Sequence, residues 1–547
     1  MSDGRYDVIV VGSGAGGAPV AHTLSRAGAS VLVLEKGPRY VRSDFLHDEI
    51  SSCRRDFFVP FPGDDPHTLR RAPSATAEPT HAGWISRCVG GGTVHMSGFF
   101  FRFHPDDFRI RSRFPELTGT TVEDWPFGYD ELEPYYDRVE REVGVSGETG
   151  RNPEEPPRQS DYPFPAVATH PIAELIDDRL SEIGLHPFPV PRAIVTRPIG
   201  DRLPCHYCTL CGSYGCEVGA KSSTPEALLP AAEQAGTRVE SGAMVYDLPV
   251  DSRGRVLGAR WIDAEGALRE ARSDHVVVAA SAIESARLLL MSRSRRFPRG
   301  LGNDLDQVGA HMTFNTLTKG QVFLRPEQLP KPYGDQLFDP APFVGRAIQD
   351  FRTFTPEGAS FGRGGTLNFL WAHPNPIYAA EPLLRDQGRL VWGDELMDRL
   401  TDRFRGGRML EVEGYSDWLP TPMGRVDLDP KVTDRWGLPA ARITVDRHPS
   451  DRATSARLAA RAEAALATLG DKPEITHVGG ETWVLQGGTC RMGRDPHTSV
   501  TDATGRVHGV PNLWVSDGAA LPTSGGVPCT QTILANAFRV ADYLREA

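Results

Sequence analysis

The chain has 547 residues, 39% of them hydrophobic and 24% charged; this composition is that of a globular protein too long for one simple core, so two or more domains are expected. Its net charge of −11 argues against nucleic acid and against an anionic membrane surface as partners. The sequence has no apolar run of about 18 residues and no basic-then-apolar leader, so a cytoplasmic protein without a membrane span is expected, its eight cysteines reduced or metal-bound.

The first 35 residues carry the strongest signal. Tyr6–Val11 is a β-branched apolar run that predicts a buried strand. Gly12-Ser13-Gly14-Ala15-Gly16-Gly17 follows, then a helical stretch over Ala18–Ala27 and a second apolar run, Val31–Leu34, ending in Glu35. Strand, glycine turn, helix, strand and acid form a dinucleotide-binding fingerprint. Gly12 permits the turn, Gly14 lets backbone approach a pyrophosphate, and Gly17 lets the helix pack on the strand. The helix N-terminus offers free N–H groups to the phosphates. Glu35 suits a ribose with a free 2′-hydroxyl, which favours FAD or NAD over NADP.

Residues 50–80 are polar and rich in Pro and Arg, and predict a loop. A second glycine turn spans Cys88–Gly98, with Gly91, Gly92, Thr93, His95 and Met96 at its centre. Asp124-Trp125-Pro126 precedes a predicted helix over Tyr129–Val143, and the proline-rich residues 146–165 predict a linker or surface excursion. Val276–Ala280 predicts another short buried strand, running into a helix over Ser281–Leu290. Residues 311–450 alternate irregularly, as an antiparallel sheet with loops does. A helix is predicted from 451 to about Leu469, a strand at Leu513–Val515, and a closing helix over Thr530–Leu544.

Taken together, these segments resemble the glucose-methanol-choline (GMC) oxidoreductases. The resemblance is carried by the N-terminal fingerprint, Gly90-Gly91-Gly92-Thr93-Val94-His95, Asp124-Trp125-Pro126, Val278–Ser285, Gly488-Thr489-Cys490-Arg491-Met492-Gly493 and Asn512–Ala519, in family order. It implies an α/β Rossmann-like FAD-binding domain, discontinuous in sequence (residues 1–45, 80–100, 225–310 and 485–547). It also implies an α+β substrate domain with a mainly antiparallel sheet (101–224 and 311–484). FAD contacts are then expected from Gly12, Gly14, Gly17, Glu35, Gly91, Gly92, Thr93, His95, Met96, Val245, Ala280, Asp517 and Thr530. The reaction implied is hydride transfer from a hydroxyl-bearing carbon to flavin N5, on a sugar, polyol or sugar-containing metabolite such as an amino-sugar. A flavoprotein that does not oxidise alcohols is the alternative.

Cys205, Cys208, Cys211 and Cys216 lie within twelve residues. Clustered thiols at this spacing suit an iron–sulfur cluster or zinc, and the absence of a metal also stays open. Their surroundings resemble the FAD subunit of bacterial gluconate, sorbitol and fructose dehydrogenases, which implies a [3Fe–4S] cluster, a dehydrogenase rather than an oxidase, and an electron-acceptor protein or small acceptor as partner.

The family's general base is a His shortly before the Gly-Thr pair, partnered by a His or Asn opening the last helix. Here the first position falls on Val484 or Leu485 and the second on Pro528. Gln486, Cys529 and Thr530 are the nearest candidates in sequence, and His477 and Glu481 lie slightly upstream. The departure leaves three readings: a different base, a substrate that needs no strong base, or loss of alcohol oxidation.

Overall fold

The computed structural model describes residues 2–53, 58, 63–80, 85–340, 343–354, 362–373, 375–483 and 485–547. Its first half is organised by β1 (Ser2–Val11), α1 (Ala18–Arg26) and β2 (Val31–Glu35). Four residues of β1 and all of β2 are fully apolar or buried on both faces, the pattern of a parallel strand covered by helices. β3 (Arg238–Ser241), β4 (Met244–Asp247), β5 (Gly258–Ile262), β6 (Leu268–Val278) and β7 (Leu513–Val515) complete a seven-stranded sheet. The order is β3-β2-β1-β6-β5-β4, with β7 also paired to β6. Pairings β2–β3, β1–β2, β1–β6 and β6–β7 are parallel, whereas β5 joins its neighbours antiparallel. Strands from residue 2 to residue 515 thus build one Rossmann-like layer.

A second sheet of six antiparallel strands stands over it. Its order is Glu474–Glu481, Thr316–Leu324, Arg408–Ser416, Gly365–Trp371, Arg346–Ile348 and Phe188–Pro189. Helix Pro449–Ala467 backs this sheet, burying Leu458, Ala462 and Leu466 among Val322, Leu367 and Val412. The closing helix, Thr530–Glu546, packs on both α1 and helix Tyr129–Val139.

The structure departs from the sequence reading in two places. Within residues 50–80, His67–Arg70 and Glu78–Thr80 are strands, joined to Pro439–Thr444. The partner strand lies more than 350 residues away (Arg70 Nε donates to Thr444 Oγ1 across 374 positions), so no local pattern reveals the pairing. The helix expected to run to Val143 keeps regular geometry only to Val139 and then widens over Glu140–Gly144. Gly144, at φ +92°, turns the chain out of it. No helix among the described residues is long and apolar enough to cross a membrane.

Candidate active site

A cavity of about 990 Å³ runs between the two sheets. Of the residues predicted to contact cofactor, Gly12, Gly14, Glu35, Gly91, Gly92, Thr93, His95, Met96, Val245, Ala280, Asp517 and Thr530 all line it. Gly17 does not line it; its role is packing. A Cβ there would lie 1.9 Å from the Gly12 carbonyl oxygen, so only glycine lets α1 start this close to β1. Gly12 itself sits at φ +103°, and a Cβ on it would lie 2.3 Å from the Ala279 carbonyl oxygen.

Glu35 ends β2 at the cavity wall. Its carboxylate accepts from Ser13 Oγ at 2.7 Å, Ser13 N at 3.2 Å and Gly37 N at 3.0 Å. Burial raises its pKa against those bonds. Ser13 Oγ also accepts from Gly90 N at 2.9 Å, which ties the two glycine turns together. Asp517 is buried beneath them. It accepts from Ser281 N at 2.7 Å, Ser285 Oγ at 2.6 Å and Ala519 N at 2.9 Å, and burial pushes its carboxyl up to about 6. Helix Thr530–Glu546 opens at the same cavity, so its free N–H groups and positive dipole end face the space.

Lys36, also on the wall, starts a buried charge network that the sequence reading missed. Its Nζ lies 2.5 Å from Asp65 and 3.3 Å from Glu284. Glu284 also meets His67 at 3.1 Å and Arg287 at 3.1 Å, and Arg287 reaches Asp434 at 2.6 Å. The network holds Glu284 well below the usual carboxylate range and stitches the nucleotide layer to the strands at 67–70 and 439–444.

The other wall carries different chemistry. Leu317, Lys319, Glu413 and Tyr415 project into the cavity from the six-stranded sheet, joined by Glu49, His373, Tyr378 and Glu381. Leu485, one of the two positions expected for the family's base, and Pro528, the position expected for its partner, line it as well, while Val484, the other candidate, lies outside the described residues. Gln486 Oε1 accepts from Ser281 Oγ at 3.1 Å and its Nε2 donates to the Trp483 carbonyl at 2.8 Å, so the amide faces the nucleotide side. Cys529 reaches the cavity as a thiol that burial pushes up to about 12. Thr530 is half-buried at the helix start. His477 is exposed on its strand, and Glu481 accepts from Arg71 at 2.9 Å.

Residues 191–313 and 420–537 match two family models described as GMC oxidoreductase, and residues 10–41 match an NAD(P)-binding Rossmann-like domain. The chain is 32% identical to 6'''-hydroxyparomomycin C oxidase of Streptomyces lividus, over 99% of this chain and 91% of the relative. It is 32% identical to 2-methyl-1,2-propanediol dehydrogenase of Mycolicibacterium austroafricanum, over 99% and 95%.

The chain belongs to the GMC oxidoreductase family.

Fructose dehydrogenase large subunit of Gluconobacter japonicus is similar at 27% identity, covering 98% of this chain and 97% of the relative. Among solved structures, pyridoxine 4-oxidase from Mesorbium loti shares the fold, with a TM-score of 0.62 at 17% identity over 99% of each chain. This GMC oxidoreductase is therefore an FAD-dependent enzyme. The cavity fits that cofactor: close-approach glycines and helix N-termini for the pyrophosphate, and Glu35 for the ribose.

The cysteine segment leans on the same cavity. Ser213 N donates to the His95 carbonyl at 2.8 Å, and Ser213 itself lines the wall. Cys205, Cys208, Cys211 and Cys216 surround a small hollow of their own. Tyr207 N donates to Cys205 Sγ and Lys221 N to Cys216 Sγ, both at 3.4 Å. The buried Lys221 ammonium donates to the carbonyls of Met96 at 3.1 Å, Cys211 at 2.8 Å and Tyr214 at 2.5 Å, bridging the second glycine turn and the thiol loop. Among the described residues no three His, Cys, Asp or Glu side chains stand together as a metal site.

Proposed function

We propose that the enzyme oxidises a hydroxyl group of a sugar, polyol or amino-sugar-containing metabolite by hydride transfer to its FAD. The observation that carries this reading is the make-up of the far wall: Glu49, Lys319, His373, Tyr378, Glu381, Glu413 and Tyr415 give a polar chamber that continues the cofactor cavity. Such a wall suits a hydroxyl-rich or amine-bearing molecule better than a sterol, whose apolar surface would desolvate those groups without offering them hydrogen bonds. The similarity to 6'''-hydroxyparomomycin C oxidase, paromamine 6'-oxidase and fructose dehydrogenase supports the same class. The chamber's protein groups bind and orient the hydroxyl, and FAD when bound supplies the hydride acceptor. The test is anaerobic mixing of purified protein with fructose, sorbitol, glycerol and paromamine. Bleaching of the flavin absorbance by at least one of them is expected; no bleaching by any would leave the non-oxidising flavoprotein as the better account.

The thiol loop favours a further reading, that Cys205, Cys208, Cys211 and Cys216 hold an iron–sulfur cluster, with one thiol spare if it has three irons. Burial pushes Cys205 up to about 12, so it stays a neutral thiol at pH 7 unless a metal displaces its proton. A cluster there would supply one-electron exit toward an acceptor and make the protein a dehydrogenase. Iron together with acid-labile sulfide in anaerobically purified protein is expected; neither being present would remove the cluster. A cytoplasmic location and a separate electron acceptor complete the reading.

A further inference from the structure

The two positions that lack the family's base converge on one short stretch of strand. Thr482 N, two residues before Val484, donates to the Asn315 carbonyl at 3.1 Å. The Asn315 side chain donates to the carbonyls of Gly525 at 2.6 Å and Val527 at 3.2 Å, immediately before Pro528. The next residues, Thr316 and Leu317, are paired directly with Ser416 and Tyr415. On the other side of Tyr415 lies Thr366, and a Cβ on Gly526 would stand 3.5 Å from the Cα of the adjacent Gly365. Tyr415 is therefore the phenol that the sheet delivers to the region where an imidazole is missing.

Its hydroxyl is already wired for proton transfer. Tyr415 Oη donates to Glu413 Oε2 at 2.8 Å, and Lys319 Nζ lies 3.0 Å from Glu413 Oε1. Lys319 and Glu413 are a direct cross-strand pair, and residues 413 and 415 share a face by the period of a strand. All three line the cavity.

Resting on the alcohol-oxidation reading above, we propose that Tyr415 takes the substrate's hydroxyl proton while passing its own to Glu413, with Lys319 fixing that carboxylate. The substrate O–H bond breaks and a new O–H bond forms on Tyr415. The original phenolic proton moves to Glu413 Oε2. The carbinol hydrogen leaves with both bonding electrons to the bound FAD, and the substrate becomes a carbonyl. Tyr415 is the catalytic residue; Glu413 and Lys319 are positioning residues.

The surroundings agree with this division. Lys319, with His373 and the Tyr415 bond, holds Glu413 below the usual carboxylate range, so it is an ionised acceptor at neutral pH. Burial and the facing carboxylate keep Tyr415 protonated. Lys319 faces Glu411 and Tyr378 besides Glu413, which hold it charged. Glu411 in turn faces Lys319, Glu413 and Arg403. His477 is the strand partner of Lys319 on the other side.

The test uses the FAD-loaded protein, anaerobic rapid mixing, and whichever of fructose, sorbitol, glycerol and paromamine bleaches the unaltered enzyme fastest. Tyr415→Phe is expected to slow the limiting bleaching rate by at least about 100-fold, with flavin absorbance retained and substrate half-saturation within about threefold. The unaltered enzyme is expected to hold a flat rate from about pH 6 to 9, whereas Tyr415→Phe climbs log-linearly with pH as hydroxide becomes the acceptor. Glu413→Gln is expected to show the same loss. A merely structural role would lower flavin content without creating that pH slope. If both variants bleach within about threefold of the unaltered enzyme and stay flat with pH, the relay is wrong while alcohol oxidation stands. If none of the four compounds bleaches the unaltered enzyme, the functional reading falls and the relay with it.

Discussion

The two walls of the cavity bind by different means. The nucleotide wall works through backbone: turns that admit no side chain, N–H groups at helix starts, and a few fixed acceptors such as Asp517 and Glu35. The far wall works through side chains carried on flat strands. The first requires particular residues at fixed spacing, so its pattern is intact here. The second requires only that some proton acceptor reach the same place; on the relay proposed above, Leu485 and Pro528 line the wall while the Lys319–Glu413 ion pair and the Tyr415 phenol gather beside them. If the relay holds, cofactor identity and catalytic apparatus are separable properties of this fold.

The sharpest way to break the contrast is at Gly17. A valine there would drive its Cβ to 1.9 Å from the Gly12 carbonyl oxygen; Gly17→Val is expected to yield colourless protein, measured as flavin absorbance per chain. Yellow protein with ordinary flavin content would mean the backbone wall is less exacting than argued. Next comes the buried network behind that wall. Arg287 is fully buried against Glu284 and Asp434, so Arg287→Met strands carboxylates and is expected to cost about 3–5 kcal/mol in denaturant unfolding. A loss under about 1 kcal/mol would show that Lys36 alone balances the cluster.

A third variant sharpens the side-chain half. Adding Leu485→His to Tyr415→Phe places an imidazole at the vacated position and is expected to recover about tenfold in bleaching rate, roughly 1.4 kcal/mol of barrier. No recovery would place the reacting hydroxyl away from residue 485.

A last variant concerns the contact of His311 with Thr121 and Gln307. His311 bonds Thr121 Oγ1 and Gln307 Oε1, both at 2.9 Å, and burial beside Arg491 and Arg425 pulls it from 6.5 to about 3. Its folded pKa lies below the unfolded one, so the unfolded chain binds the extra proton. Stability is therefore full above about 6.5 and declines as pH falls from there toward 3. His311→Gln is expected to flatten the fall in melting temperature between pH 7 and pH 4 relative to the unaltered protein; parallel curves would assign the acid sensitivity to other groups.

Much of the nucleotide wall was legible in sequence because its parts are local. Gly12, Gly14, Gly17 and Glu35 lie within one β-α-β unit, and the strand at Leu513–Val515 and helix from Thr530 declare themselves by apolar run and period. Asp517 was legible only through resemblance, since its partners Ser281 and Ser285 sit 236 and 232 positions away. The far wall was hidden for the same reason carried further. Lys319 and Glu413 come from different strands, and nothing in the alternation of residues 411–415 says which face looks at a cofactor. The strands at 67–70 and 78–80 were read as loop because a sheet distant in sequence supplies their pairing.

Ser516 Oγ donates to the Gly16 carbonyl across 500 positions, beside a strand that completes the parallel layer. During synthesis the glycine turn therefore waits, one flank of its sheet open, until residues 513–516 have left the ribosome. Pigment acquisition then follows the emergence of residues 513–516. Ribosome-bound intermediates arrested short of residue 513 should remain unable to retain flavin, and the open edge at Val276–Val278 is where chaperones would be needed most.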